Sequence, residues 1–157
     1  MNIKLLVVGK TDVKYLQTGI DEYLSRLKHY VNFELEVIPA LKDQKGASPE
    51  EIKEREAALI LKRLEKSDMV VLLDEHGRQY TSVGYSEYLQ KLMNSGVRNL
   101  TFVIGGAFGF APSVHARASA KMSLSNMTFN HQMVRLIFVE QLYRAFTILK
   151  HEPYHNE

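Results

Sequence analysis

LTFVIGGAFG, residues 100–109, sets the pattern on which the rest of the chain is built. Leu100 to Ile104 is a short, near-continuous apolar run, the pattern of a strand covered on both faces, and Gly105-Gly106 ends it abruptly. The same pattern recurs upstream at Asn2 to Val8 and at Met69 to Leu73, and a fifth strand is expected near Lys121 to Ser125. Phe33, Leu35 and Val37 alternate instead with Glu34 and Glu36, so that strand has one wet face and belongs near a sheet edge. Helical segments separate the strands. Val13, Leu16, Ile20, Tyr23, Leu24 and Leu27 recur at helical spacing after Gly9, and Ser48-Pro49-Glu50-Glu51 opens a second helix as a capping box with proline at its first position. A third helix runs from about Val83 to Asn94 and closes at Gly96, a short one lies near Ser113 to Ala118, and a long one runs from about His131 to Leu149. This alternation predicts a single α/β domain over residues 1–157, with a mostly parallel sheet and helices on both faces. The loose segment is Pro39 to Ala47, where Lys42, Asp43, Gln44, Lys45 and Gly46 interrupt the apolar pattern.

A chain of 157 residues with 45% hydrophobic content can bury roughly 70% of its unfolded surface in one domain. It has no cysteine, which excludes disulfides, thiolate zinc sites and cysteine nucleophiles and permits a reducing compartment. The opening MNIKLLVVGK is apolar over too few residues for a signal or a membrane span, so the expected location is cytoplasmic, with no membrane partner. Away from secretion, the glycosylation match at Asn126-Met127-Thr128 carries no meaning. A formal charge of +2 permits an RNA partner without demanding one.

In open α/β sheets, ligands bind beyond the carboxyl ends of the strands. Three exits are rich in small and polar residues: Leu73-Asp74-Glu75-His76-Gly77, Gly105-Gly106-Ala107-Phe108-Gly109, and Ser123-Leu124-Ser125-Asn126-Met127-Thr128. Glycines there let a flat ligand approach the backbone, whose amides and carbonyls can read an adenine edge or a ribose. A tight turn explains any single Gly-Gly pair equally well; three exits together point to a cofactor pocket. The chain has no G-x-x-x-x-G-K-[ST], and GGAFG lacks the G-x-G-x-x-G spacing, so ATP hydrolysis and dinucleotide redox chemistry lose ground. His151-Glu152-Pro153-Tyr154-His155 matches the zinc-protease pattern H-E-x-x-H, but Pro153 disfavours the helix that would bring both histidines to one face.

His115, His131, His151 and His155 gather toward the end of the chain beside Arg117, Arg135, Arg144 and Lys150, where an anionic substrate would be met. The long helix is apolar around most of its circumference and must be buried, in part within a subunit interface. Two i,i+4 polar pairs interrupt it, His131 with Arg135 and, on nearly the opposite face, Glu140 with Arg144. Spacing alone favours a plain helix salt bridge for the second pair and simple helix solvation for His131. Tyr154 and His155 read either as a frayed end or as an aromatic and an imidazole for an RNA base.

Taken together, VVLLDEHG, VIGGAFG, SLSNMTFNHQMVRLIFVEQLYRAFTIL and the terminal PYH resemble the RlmH family, the ribosomal RNA large subunit methyltransferases H, and NIKLLVVGK and LQTGIDEYLSRL fit it too. The resemblance implies a SPOUT-type enzyme with a C-terminal trefoil knot, working as a homodimer. It implies transfer of a methyl group from S-adenosylmethionine to the N(3) position of a pseudouridine in a stem-loop of large-subunit (23S) rRNA, within the ribosome, with no metal and no DNA partner. Carried over position by position, the family's donor contacts fall on Leu73, Gly105, Leu124, Ser125, Asn126, Met127, Thr128 and Phe129. Its substrate-side positions fall on His131, Arg135, Glu140, Arg144, Tyr154 and His155. Two departures stand out: Ala107-Phe108 where a proline or serine and a polar residue are common, which puts a polar contact in doubt, and Asn130 where a proline is frequent, which puts the stiffness of the donor loop in doubt.

A sulfonium donor carries its own leaving group, so alignment should supply most of the rate. The imide proton must also leave, with His155 or Glu140 as the expected general base and Arg135 and Arg144 as phosphate or base holders. Two other readings use the same segments: a noncatalytic RNA-binding module on ribosomes, and a SPOUT enzyme that methylates ribose or guanine.

Overall fold

A parallel sheet flanked by helices has to bury both of its faces, and the computed structural model of this chain, which describes residues 1–42 and 44–156, shows how the strands divide that work. The elements in order are β1 (Asn2–Val8), α1 (Lys14–Leu27), β2 (Asn32–Ile38), α2 (Pro49–Arg63), β3 (Met69–Gln79), α3 (Ser82–Asn94), β4 (Asn99–Ile104), α4 (Pro112–Arg117), β5 (Ala120–Ser123) and α5 (Met133–Leu149). Along β1, Ile3, Leu5 and Val7 face one core with Phe102 of β4, and α1, α3 and α5 cover it. Leu6 faces the other, with Val70, Leu72 and Val103, beneath Ala57 and Ile60 of α2 and Val114 of α4. The sheet has five strands in the order β2-β1-β4-β3-β5, and each of its pairings is parallel. The half-polar strand Phe33–Val37 lies at an edge, as its alternation requires.

Local signals act where they were read. Ser48 Oγ accepts from the Glu51 amide at 3.2 Å, with Pro49 at the first helical position, while the Glu51 carboxylate reaches forward to Arg55 at 3.8 Å. Thr81 Oγ1 caps α3 by accepting from the Gly84 amide at 3.0 Å. Pro39 to Ala47 carries no helix or strand among its described residues, and Asp43 and Glu157 lie outside the described residues. After α5 the backbone turns at His151, with φ of 57°, and Tyr30 Oη donates to Glu152 at 2.6 Å, so His151 and His155 share no helical face. Among the described residues no helix is long and apolar enough to cross a membrane.

The third strand departs from expectation. It does not end at Leu73. It pairs Leu73 with Met122, leaves the ladder over Asp74 to Gly77, and returns to pair Arg78 with the same Met122 and Gln79 with Ser123. The detour brings Gly77 against β5, where a Cβ would stand 2.5 Å from the Met122 amide nitrogen, so no larger residue fits. The polarity of Asp74, Glu75 and His76 hid the strand's continuation, because a bulged segment need not keep the apolar pattern.

Candidate functional site

Sheet order gathers the site. Because β4, β3 and β5 lie side by side, the carboxyl ends of β4 and β5 and the detour of β3 at Leu73 to His76 open onto one cavity of about 520 Å³, a size ordinary for a small-molecule site. Leu73, Gly105, Leu124, Ser125, Asn126, Met127, Thr128 and Phe129, every donor-side candidate, line it, and so does His131. The turn after β4 is closed by the Gly109 amide donating to the Gly106 carbonyl at 3.2 Å. Its tip raises Phe108, 49% exposed, at the rim.

The glycines of this turn also pack closely against protein. The room a Cβ would fill is taken by protein: at Gly105 by the Phe110 ring, 3.0 Å away, and at Gly106 by the Glu56 carboxylate, 2.5 Å away. Gly105 and Gly106 thus meet the turn's own supports closely, and what these two residues give the cavity is backbone.

The other two walls are stiffened by short-range hydrogen bonds. Asp74 Oδ1 accepts from the His76 amide at 2.8 Å, and Asp74 Oδ2 lies 3.9 Å from His115 Nε2. His115, grouped in sequence with the anion-binding tail, therefore belongs to the cavity, its ring edge-on to Phe110 at 5.9 Å. Ser125 Oγ accepts from the Met127 amide at 2.9 Å, and Gln79 Nε2 donates to Asn126 Oδ1 at 2.9 Å, which ties the loop after β5 to the returned end of β3. Asn130 Oδ1 accepts from the Gln132 and Met133 amides at 2.8 and 3.3 Å. An asparagine side chain thus caps the entry to α5, supplying by hydrogen bonds the rigidity a proline would supply covalently.

The substrate-side candidates divide into three. His131 is exposed at the cavity. Arg135, expected to meet phosphate, is only 2% exposed and donates to the Val8 carbonyl at 2.8 Å and Thr11 Oγ1 at 3.0 Å. It lies on the inward stripe of α5, where a guanidinium satisfies backbone left open at the end of β1; the expectation that it faces RNA is corrected.

Glu140, Arg144, Tyr154 and His155 form one cluster at the far half of α5. Arg144 Nη2 and Nε donate to Glu140 Oε2 at 2.9 and 3.1 Å, Tyr154 Oη donates to the same oxygen at 2.9 Å, and Tyr23 Oη lies 3.0 Å from Tyr154 Oη. Tyr154 packs edge-on to Tyr143 at 4.8 Å, under the Arg144 guanidinium, so the tail is docked and not frayed. Burial, then the hydrogen bonds with Tyr23 and Glu140, hold the Tyr154 hydroxyl well above the usual phenol range, keeping it a donor. Arg144 Nη1 lies 3.0 Å from His155 Nδ1. A guanidinium can only donate, so Nδ1 accepts and a neutral ring carries its proton on Nε2.

The cavity and the cluster are separate places in one chain. From Val134, on the cavity wall, ten residues of helix lead to Arg144, roughly 15 Å at about 1.5 Å per residue. Among the described residues no group of three or more metal-ligating side chains occurs.

Comparison with known proteins puts this geometry in context. Residues 1–155 match the family described as predicted SPOUT methyltransferase. A relative from Flavobacterium johnsoniae named ribosomal RNA large subunit methyltransferase H is 57% identical over 157 residues, 100% of each chain. One of the same name from Christiangramia forsetii is 56% identical over 99% of each. A solved structure of a probable methylase family protein from Haemophilus influenzae aligns with a TM-score of 0.57 over 96% of this chain and 66% of that one; at 11% identity this is a likeness of fold.

Proposed function

This chain belongs to the SPOUT methyltransferase family, and from that premise we propose that it methylates large-subunit ribosomal RNA, moving a methyl group from S-adenosylmethionine to the N(3) position of a pseudouridine. The observation that carries this reading is the single cavity lined by every donor-side position. The cavity also suits such a ligand chemically: Leu73, Leu124, Met127 and Phe129 offer apolar surface to an adenine, the turn backbone offers polar groups, and Asp74 offers a counter-charge to a cation. When bound, the donor supplies a methyl group on a positive sulfur, an excellent leaving group.

The chain's own part is then alignment. Both general-base candidates already hold hydrogen bonds: Glu140 accepts from Arg144, Tyr154 and Gln141, and the one lone pair of a neutral His155 ring faces Arg144. His155 takes a proton only by releasing Arg144, and a proton on Glu140 has to compete with the donors it already holds. Positioning of the base by Arg144 and Tyr154 therefore supports more of the rate than proton abstraction does. The distance between cavity and cluster gives the homodimer a chemical purpose, since a second copy can bring its cluster to this cavity. The expected setting is the cytoplasm, and the C-terminal trefoil knot implied by the family would run through the loops that build the cavity.

The test is to incubate the protein with S-adenosylmethionine and ribosomes lacking the mark and to locate the product by mass spectrometry. One added methyl on the N(3) of a pseudouridine in large-subunit rRNA is expected. A methyl on ribose or guanine would replace this reading with another SPOUT activity, and failure to bind the donor at millimolar concentration would leave a ribosome-binding module.

A further inference from the structure

The inward face of α2 carries Ile52, Ala57 and Ile60, and among them stands an acid: Glu56 is only 7% exposed. A buried carboxylate is costly, and an apolar side chain of similar volume would cover the sheet without that cost. The carboxylate meets the turn after β4. It accepts a hydrogen bond from the Gly106 backbone, and a Cβ at Gly106 would stand 2.5 and 2.7 Å from its two oxygens. Burial raises its pKa, against the pull of that hydrogen bond. Glu56 itself is not on the cavity wall, whereas Gly106 is.

We infer that Glu56 is a positioning residue, fixing the Gly105-Gly106 turn from behind in the shape that receives the methyl donor. The inference rests on the donor reading of the cavity. The half-buried Gly106 backbone that loses its acceptor no longer has a fixed partner behind the turn, and the turn then leaves its binding shape for part of the time. Apparent donor affinity falls in proportion to the competent fraction.

The experiment compares the full-length protein with its Glu56→Ala and Glu56→Gln variants by calorimetry with S-adenosylmethionine, by steady-state kinetics, and by hydrogen exchange of residues 104–110 without donor. Glu56→Ala should weaken donor binding about tenfold, raise donor KM by more than it lowers kcat, and speed exchange in the turn. Glu56→Gln keeps an acceptor of equal reach and should restore affinity to within about threefold of wild type. Gly106→Ala drives a methyl into the carboxylate and should repeat the loss, and in the double variant with Glu56→Ala the two losses should not add. Wild-type affinity in Glu56→Ala, or equal losses in the Ala and Gln variants, would overturn the inference. If Glu56→Ala fails to fold, unchanged affinity in Gly106→Ala overturns it just as well. A wild-type protein that binds no donor would sink the donor reading and this inference with it; donor bound alike by wild type and Glu56→Ala sinks this inference alone.

Discussion

Around the cavity, the structure works with backbone. Gly105 and Gly106 turn main chain toward the opening, Gly77 lets β3 return beside β5, and the loop from Leu124 to Phe129 is folded by hydrogen bonds to its own amides. At the far half of α5 it works with side chains: Glu140 collects Arg144 and Tyr154, and Arg144 holds His155. The difference teaches where each region is vulnerable. A backbone site fails through sterics and conformation, and it fails together with the fold. A side-chain cluster fails one group at a time and leaves the fold standing.

The largest expected effect breaks the backbone region. Gly77→Ala places a methyl 2.5 Å from the Met122 amide nitrogen, so the detour in β3 must open. A loss of about 3 kcal/mol is expected in chemical denaturation, with donor binding abolished in calorimetry. An alanine that costs nothing would mean the detour is not held against β5 as described.

Next comes the cluster. Arg144→Met leaves Glu140 and His155 without their shared donor, and turnover should fall about 100-fold while donor affinity stays within about threefold. Mixing Arg144→Met chains with Gly77→Ala chains would sharpen the comparison further: if a second copy brings its cluster to this cavity, as proposed, the activity that is low in each variant alone should partly return. No recovery from well-formed mixed dimers would confine each site to its own chain.

Tyr154→Phe is milder. It removes the hydroxyl that joins Tyr23 to Glu140 and should cost about 1 kcal/mol of stability, with a several-fold drop in turnover. Thermal melts and rates on ribosomes check the two parts separately, and donor titration should not register the change.

The smallest effect lies outside both regions. Burial would raise the Glu36 pKa, but hydrogen bonds from Lys4 and Arg63 outweigh it and hold it below its ordinary value of 4.5. A depressed carboxylate stabilises the fold above the unfolded value and loses that contribution as pH falls through and below it. Glu36→Gln should therefore cost under about 1 kcal/mol at pH 7 and progressively less as the pH is lowered below the unfolded value, with donor binding and turnover at pH 7 as in wild type. A gap between the two proteins that persisted at low pH would remove the ion pairs as its cause.

The two regions also differ in how far they could be read. The segments that line the cavity could be located because strand exits announce themselves in one dimension: an apolar run stops at small residues. Glu56 could not, since a glutamate amid charged neighbours on a helix looks solvated until the helix is laid on the sheet. Arg135 misled for the same reason, a polar residue on a largely apolar helix that faces Val8 and Thr11 once the helix is laid on the sheet. The glycines at 105 and 106 were rightly marked as points of close approach, but what approaches them is Phe110 and Glu56.

Period and punctuation alone therefore determined the alternation of strand and helix, the edge position of β2, the caps at Ser48 and Gly96, and the exits of β4 and β5, because these depend on a few neighbouring residues. Only the tertiary structure decided that β4, β3 and β5 lie adjacent and merge those exits into one cavity, that β3 leaves and rejoins its ladder at Met122, and that the tail docks on Tyr23 and Glu140. Such contacts join residues far apart in the chain. Whether they form depends on what each surface has left unsatisfied once the local elements exist, and no window of sequence contains that information.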